Sequence, residues 1–183
     1  MTELRPLWRY RAAKRGGFTL IEVLIVVVLL AILSSVLVPA LTDAASGKLR
    51  GSALLLAEDI QYVQAEAMNS NQLLRIRFVN STRYQVEDPD GGVGGSTLIL
   101  RHPQLDYPAH NGAFIVDFSD PGPLNGTTIS SVRFGGQSWL EFGNYGEPTA
   151  GGYLLLKSGR YQVRITVAPI TGMVTIGDLE VSP

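Results

Sequence analysis

From Phe18 to Leu41 the chain reads FTLIEVLIVVVLLAILSSVLVPAL, 24 residues whose only ionisable side chain is Glu22. Wound as an α-helix at about 1.5 Å per residue, the run reaches roughly 36 Å, enough for a hydrocarbon core of about 30 Å. It therefore predicts a membrane helix over residues 18–41. Arg5, Arg9, Arg11, Lys14 and Arg15 all precede it, against Glu3 alone. The positive-inside tendency keeps such an N-terminus in the cytoplasm and sends everything after Leu41 outward. A simple secretory signal fits less well: the run is long, a carboxylate stands four residues into it, and the trio Val38-Pro39-Ala40 that could serve as a cleavage site contains a proline.

Charge follows the same division. The 183 residues carry 15 Lys plus Arg against 16 Asp plus Glu, a net of −1, yet residues 1–17 hold +4 and the remainder −5. An acidic exported body repels phosphate, so nucleic acid is not an expected partner. The absence of cysteine removes disulfides, thiolate chemistry and Cys-type zinc sites.

An ionisable side chain inside a bilayer costs on the order of 2.5–3.5 kcal/mol on insertion scales, so Glu22 needs compensation. Near one end of the run it can snorkel to the interface. Its neighbours point to another answer. Arg15-Gly16-Gly17-Phe18-Thr19-Leu20-Ile21-Glu22 resembles the class III signal of type IV pilins and type II secretion pseudopilins, with a short basic leader, Gly before the cut, Phe first in the mature chain and Glu fifth. The resemblance implies that a membrane-embedded prepilin peptidase cuts between Gly17 and Phe18 on the cytoplasmic side and methylates the new Phe18 amine. It further implies that Glu22 pairs with the terminal amine of a neighbouring subunit. Pro39 sits where many members carry a helix-loosening proline. Read without the resemblance, Pro39 marks a helix end, because the residue before a proline is biased out of the helical region.

Residues 42–71 keep a helical period. Leu49, Ala53, Leu56, Ile60, Val63 and Ala67 recur every three or four positions, with Asp59, Gln61, Glu66 and Asn69 expected off that face. Asn69-Ser70-Asn71 offers turn residues and ends the helix. Residues 72–183 then read as strand after strand. Runs rich in β-branched and aromatic residues cover 73–79, 84–87, 97–101, 114–118, 129–134, 139–142, 153–157, 161–167 and 173–176, divided by Gly, Pro, Asn and Asp. Tyr161, Val163, Ile165 and Val167 alternate with polar residues, the pattern of a strand packed on one face. Short glycine turns at Ser158-Gly159 and Thr171-Gly172 make the last three strands a meander. The expected class is α+β and pilin-like: a long N-terminal helix, then an antiparallel β-sheet or β-sandwich domain.

The stretch from Phe142-Gly143-Asn144-Tyr145-Gly146-Glu147-Pro148 through Gly151-Gly152-Tyr153 to Thr171-Gly172-Met173-Val174-Thr175-Ile176 resembles the H-type minor pseudopilins of type II secretion and the FimT-like and FimU-like minor pilins. For this chain that implies a non-enzymatic structural subunit of a periplasmic filament. It would be anchored once in the bacterial inner membrane and work with the prepilin peptidase, the major and other minor pseudopilins, an inner-membrane assembly platform and membrane lipid. Two alternatives stand beside it: a minor type IV pilin in pilus assembly or DNA uptake, and a membrane-anchored β-sandwich binding module with an uncleaved signal anchor.

Elsewhere the sequence gives little chemistry. Asp88-Pro89-Asp90-Gly91 opens like a calcium loop but lacks the later ligands and terminal Glu, so Asp88 and Asp90 are weak metal candidates and a solvated loop is expected. Gly91-Gly92-Val93-Gly94-Gly95 precedes neither a helix start nor a phosphate-binding Lys, and reads as a flexible tip. His102 and His110, in a Pro-rich segment with Asp106, are expected at the surface. No Ser sits in a nucleophile elbow, and no cofactor is implied. Lys157, Arg160 and Arg164 are expected to be a solvated strand face. The arginine-rich turn of DNA-binding relatives is replaced here by Thr171-Gly172-Met173-Val174-Thr175.

Overall fold

The computed structural model describes residues 19–92, 96–102 and 110–182, with the backbone alone over 35–43. The chain divides into two units, Met1–Ala40 and Leu41–Pro183. Helix α1 covers Leu20–Ser70. Its helical backbone runs through Pro39, which corrects the helix end that this proline suggests by itself. α1 stops instead after Ser70. There Asn71 takes the left-handed conformation at φ 55°, and the Gln72 N–H donates back to the Ala67 carbonyl at 3.2 Å, as at many helix C-termini.

Within the unit from Leu41, two antiparallel five-stranded sheets share one core with α1. The first is built from β1 (Leu74–Phe78), β2 (Arg83–Asp88), β3 (Leu98–Ile99), β4 (Ile115–Asp117) and β6 (Trp139–Phe142), in the order β3-β2-β1-β6 with β4 also on β2. The second holds β5 (Thr128–Phe134), β7 (Gly152–Ser158), β8 (Tyr161–Val167), β9 (Val174–Ile176) and β10 (Glu180–Val181), in the order β10-β8-β7-β5 with β9 also on β8. Alternation decides which side chains go inward. Leu74, Ile76 and Phe78 of β1 and Val163, Ile165 and Val167 of β8 are buried. They meet Leu49, Ala53, Leu56, Ile60, Val63 and Ala67 of α1, each wholly buried, as the helical period predicts.

Two expectations are corrected here. Asp59 is only 5% exposed, and its carboxylate accepts the Tyr84 hydroxyl at 2.6 Å. It lies three residues after Leu56 and four before Val63, the spacing of a single helix face, so the period that buries those residues buries Asp59 as well. His102 is also inside, its ring packed against Phe114 with centroids 4.1 Å apart and its Nε2 3.7 Å from the Asp59 carboxylate. Apolar contact on the ring face and a polar neighbour at Nε2 together make an interior position tolerable.

Gly152 opens β7 between Phe134 of β5 and Val167 of β8. A Cβ built there would land on the Arg133 carbonyl, which is backbone and cannot rotate away. Gly152→Ala is therefore expected to cost about 3 kcal/mol, the upper end of the overpacking range. Denaturant unfolding followed through the β-sheet signal measures it, and a loss under half that size would mean the two strands separate easily.

Candidate functional site

The sequence places its most informative residues at the start of α1, and the structure shows how that start is made. The Thr19 hydroxyl accepts the Glu22 N–H at 3.3 Å, while the Glu22 carboxylate accepts the Thr19 N–H at 3.5 Å. This is a capping box, in which each side chain satisfies a backbone donor that the helix end leaves unpaired. The Thr-x-x-Glu spacing that announces it lies inside the motif that draws attention to Glu22, so the signal was present in the sequence. Gly17 and Phe18 lie outside the described residues.

After the cap, the large apolar side chains from Leu20 to Leu33 are all exposed, from 48% at Val26 to 85% at Leu20. Water does not favour so continuous an apolar surface, so a cover is implied. Ser34 returns its hydroxyl to the Leu30 carbonyl at 2.7 Å and so offers no unmet polar group. Among the described residues no helix is long and apolar enough to cross a membrane. The described side chains of the run stop at Ser34, short of its end at Leu41.

The other candidates scatter. Asp88 is buried, and its carboxylate accepts the Asp90 N–H at 2.9 Å, a local turn that ties the first weak metal candidate to the backbone of the second. Among the described residues no three His, Asp or Glu side chains gather as a metal site. His110 faces Asp120 at 3.3 Å whereas His102 faces Asp59, so the two imidazoles turn to different carboxylates although their segments are bridged at Arg101 and Ala113. The Arg164 guanidinium lies 4.6 Å from the Tyr153 ring, Arg160 lies 5.4 Å from that of Tyr161, and Lys157 donates to the Ser182 hydroxyl at 2.7 Å. Arg160 and Arg164 are exposed, as a solvated face requires, and Lys157 is half-buried. Gln64, which periodicity does not single out, donates to both the Gly146 carbonyl at 2.7 Å and the Thr171 carbonyl at 2.9 Å, pinning two loops to α1.

Among the described residues Asp59 is the one buried acid of α1, and it titrates out of range. Burial raises its carboxyl from 3.8 to about 6, against a smaller lowering by the Tyr84 hydroxyl and with a small further rise from Glu58. The folded state thus keeps a proton that the unfolded chain releases. This contribution to stability is full below pH 3.8 and is lost as pH rises through 6, by about 3 kcal/mol in all. Burial lowers the neighbouring His102, whose contribution runs the opposite way and is lost as pH falls. Asp59→Asn keeps an acceptor for Tyr84 and removes only the first effect. The variant is expected to gain on the parent by up to about 3 kcal/mol between pH 4 and 7 in urea unfolding. A difference that stays constant with pH would show that Asp59 does not bind this proton.

Comparison with known proteins matches residues 12–38 to the prokaryotic N-terminal methylation motif. No curated protein matches the chain. Among solved structures, the chain is similar to the minor pseudopilin EpsH from the type 2 secretion system of Vibrio cholerae. The TM-score is 0.52 at 14% identity, covering 71% of this chain and 96% of that one. The type IV minor pilin FimU of Pseudomonas aeruginosa aligns with a TM-score of 0.46 at 11% identity, over 75% of this chain and 90% of that one. At such identities the likeness to EpsH is one of fold. With a methylation motif leading into a helix and an antiparallel β domain behind it, the chain resembles the type IV pilin and pseudopilin superfamily.

Proposed function

We propose that the chain is a minor pseudopilin of a type II secretion system, a structural subunit that helps a short periplasmic filament to start and so serves protein export. The observation that carries this reading is the methylation motif at 12–38 joined to a fold like that of EpsH. In this reading residues 18–41 cross the inner membrane once, with residues 1–17 in the cytoplasm and the β domain in the periplasm. Prepilin peptidase removes residues 1–17 and methylates Phe18. Glu22 then meets the amine of an adjacent subunit, and Pro39 eases the helix as it packs among its neighbours. The exposed apolar side chains from Leu20 to Leu33 have two successive covers, lipid before assembly and other helices after it. A head-to-tail contact between such helices does not close on itself and so extends as a fibre.

Intact-mass analysis of the protein from its native cell is the test. It should show a chain beginning at Phe18 with one added methyl group. A full-length chain would leave an anchored binding module in its place. Recovery of the chain with surface pili, and not with a secretion filament, would move it to the minor type IV pilins.

A further inference from the structure

Between the β5–β6 turn and the segment that follows Pro148 lies a cavity of about 260 Å³, lined by Gly135, Gln137, Trp139, Glu141, Thr149 and Ala150 among others. Backbone hydrogen bonds fix both walls. The Gln137 N–H donates to the Phe134 carbonyl at 2.9 Å, closing the turn, and the Thr149 N–H donates to the Glu141 carbonyl at 2.9 Å, holding the opposite side against β6. Gly135, at φ 58°, keeps the crease open, since a Cβ there would come within 2.9 Å of the Ala150 methyl.

The chemistry of the lining is selective. Arg75 and Arg77 place their guanidinium carbons 4.8 and 5.7 Å from the Trp139 ring centroid. Arg75 is paired with Glu141 and Glu87, and Arg77 with Glu87 at 2.6 Å, so two cations balance two carboxylates. A cationic ligand would meet an indole that already carries two guanidiniums, and an anionic one would meet Glu141. Neither sign is favoured. Arg75 occupies one oxygen of Glu141, and the other lies 3.4 Å from the Thr149 hydroxyl, towards the cavity. Carboxylate, hydroxyl and the Gln137 amide together form a rim rich in acceptors beside an apolar wall. That calls for a compact neutral molecule with several hydroxyl donors at its edge and C–H groups on its face, which is the chemistry of a sugar ring. The volume is below the roughly 300 Å³ at which sites for drug-sized ligands begin, and suits one ring.

We propose that this crease binds one ring of a neutral carbohydrate, with a C–H face against Trp139 and hydroxyls donating to Glu141, Gln137 and the Thr149 hydroxyl oxygen. The site lies wholly in the β domain and does not depend on the assembly reading, so either can fail alone. Trp139 is one of two tryptophans in the chain, the other being Trp8 in the leader. The full chain with Trp8→Phe, held in micelles of a detergent without a sugar headgroup, therefore reports this site by its fluorescence. Maltotriose, cellotriose and chitotriose are the probes. At least one should shift the emission saturably, and Gln137→Ala and Thr149→Ala, both at exposed positions, should each weaken it about tenfold, the loss of one hydrogen bond. No saturable change with any of the three, unchanged midpoints in both variants, or saturation by trilysine or phosphate without any by the sugars would overturn the proposal.

Discussion

Gly17→Leu is expected to leave the leader on the chain. A peptidase that must grip the backbone beside Phe18 needs an approach free of side chains, and glycine is the one residue that presents none. A branched four-carbon side chain at the residue before the cut therefore blocks the step itself. Insertion should survive, because the apolar run and the five basic residues before it are unchanged and these determine orientation. The expected result is a membrane-inserted protein that keeps residues 1–17, seen by intact mass, with processed material falling to a trace. Cleavage at normal yield would show that Gly17 does not mark the processing site, and the motif at 12–38 would then be a likeness without the chemistry.

How far the rest could be read depends on which residues carry local information. Leu49, Ala53, Leu56, Ile60, Val63 and Ala67 announce their burial through spacing alone, because a helix repeats every 3.6 residues whatever packs on it. The strands at Trp139–Phe142 and Tyr161–Val167 were legible to the residue, the first as a short aromatic-rich run between turn residues and the second by strict alternation. Glu180–Val181 was not, being two exposed residues with nothing to alternate. What chain-local pattern cannot supply is partnership across sequence. Arg75 opposes Glu87 on one side and Glu141 on the other only once β1, β2 and β6 have found their register. Gln64 acquires its two carbonyls only after loops some 80 and 107 residues away arrive. His102 sits in a polar, proline-rich stretch, and nothing there foretells that Phe114 and Asp59 will enclose it. At the candidate site the balance differs. The Thr19–Glu22 box and the apolar run are local and legible, whereas spacing alone does not say what covers the exposed side chains from Leu20 to Leu33.

Replacing Glu22 tests the mechanism of assembly directly, and two variants separate its two roles. In the subunit, Glu22 caps α1 through Thr19. In the proposed filament it also neutralises a Phe18 amine from the next subunit at matching depth. Glu22→Leu removes carboxylate and cap together and spares the monomer the cost of an acid in lipid, so insertion and cleavage should be at least as good as before. Docking should fall at least about a hundredfold, because the neighbour's amine would be buried without a counter-ion. Glu22→Gln decides why. Glutamine serves a capping box as well as glutamate, but it cannot balance a cation. If charge pairing drives assembly, the Gln variant should be as defective as the Leu variant in crosslinking to the major pseudopilin at equal expression. If Gln restores crosslinking, the cap is what matters. Undiminished crosslinking in both, with normal secretion, would leave Glu22 as a side chain that only snorkels to the interface, and the filament would owe its cohesion to the apolar helix faces alone.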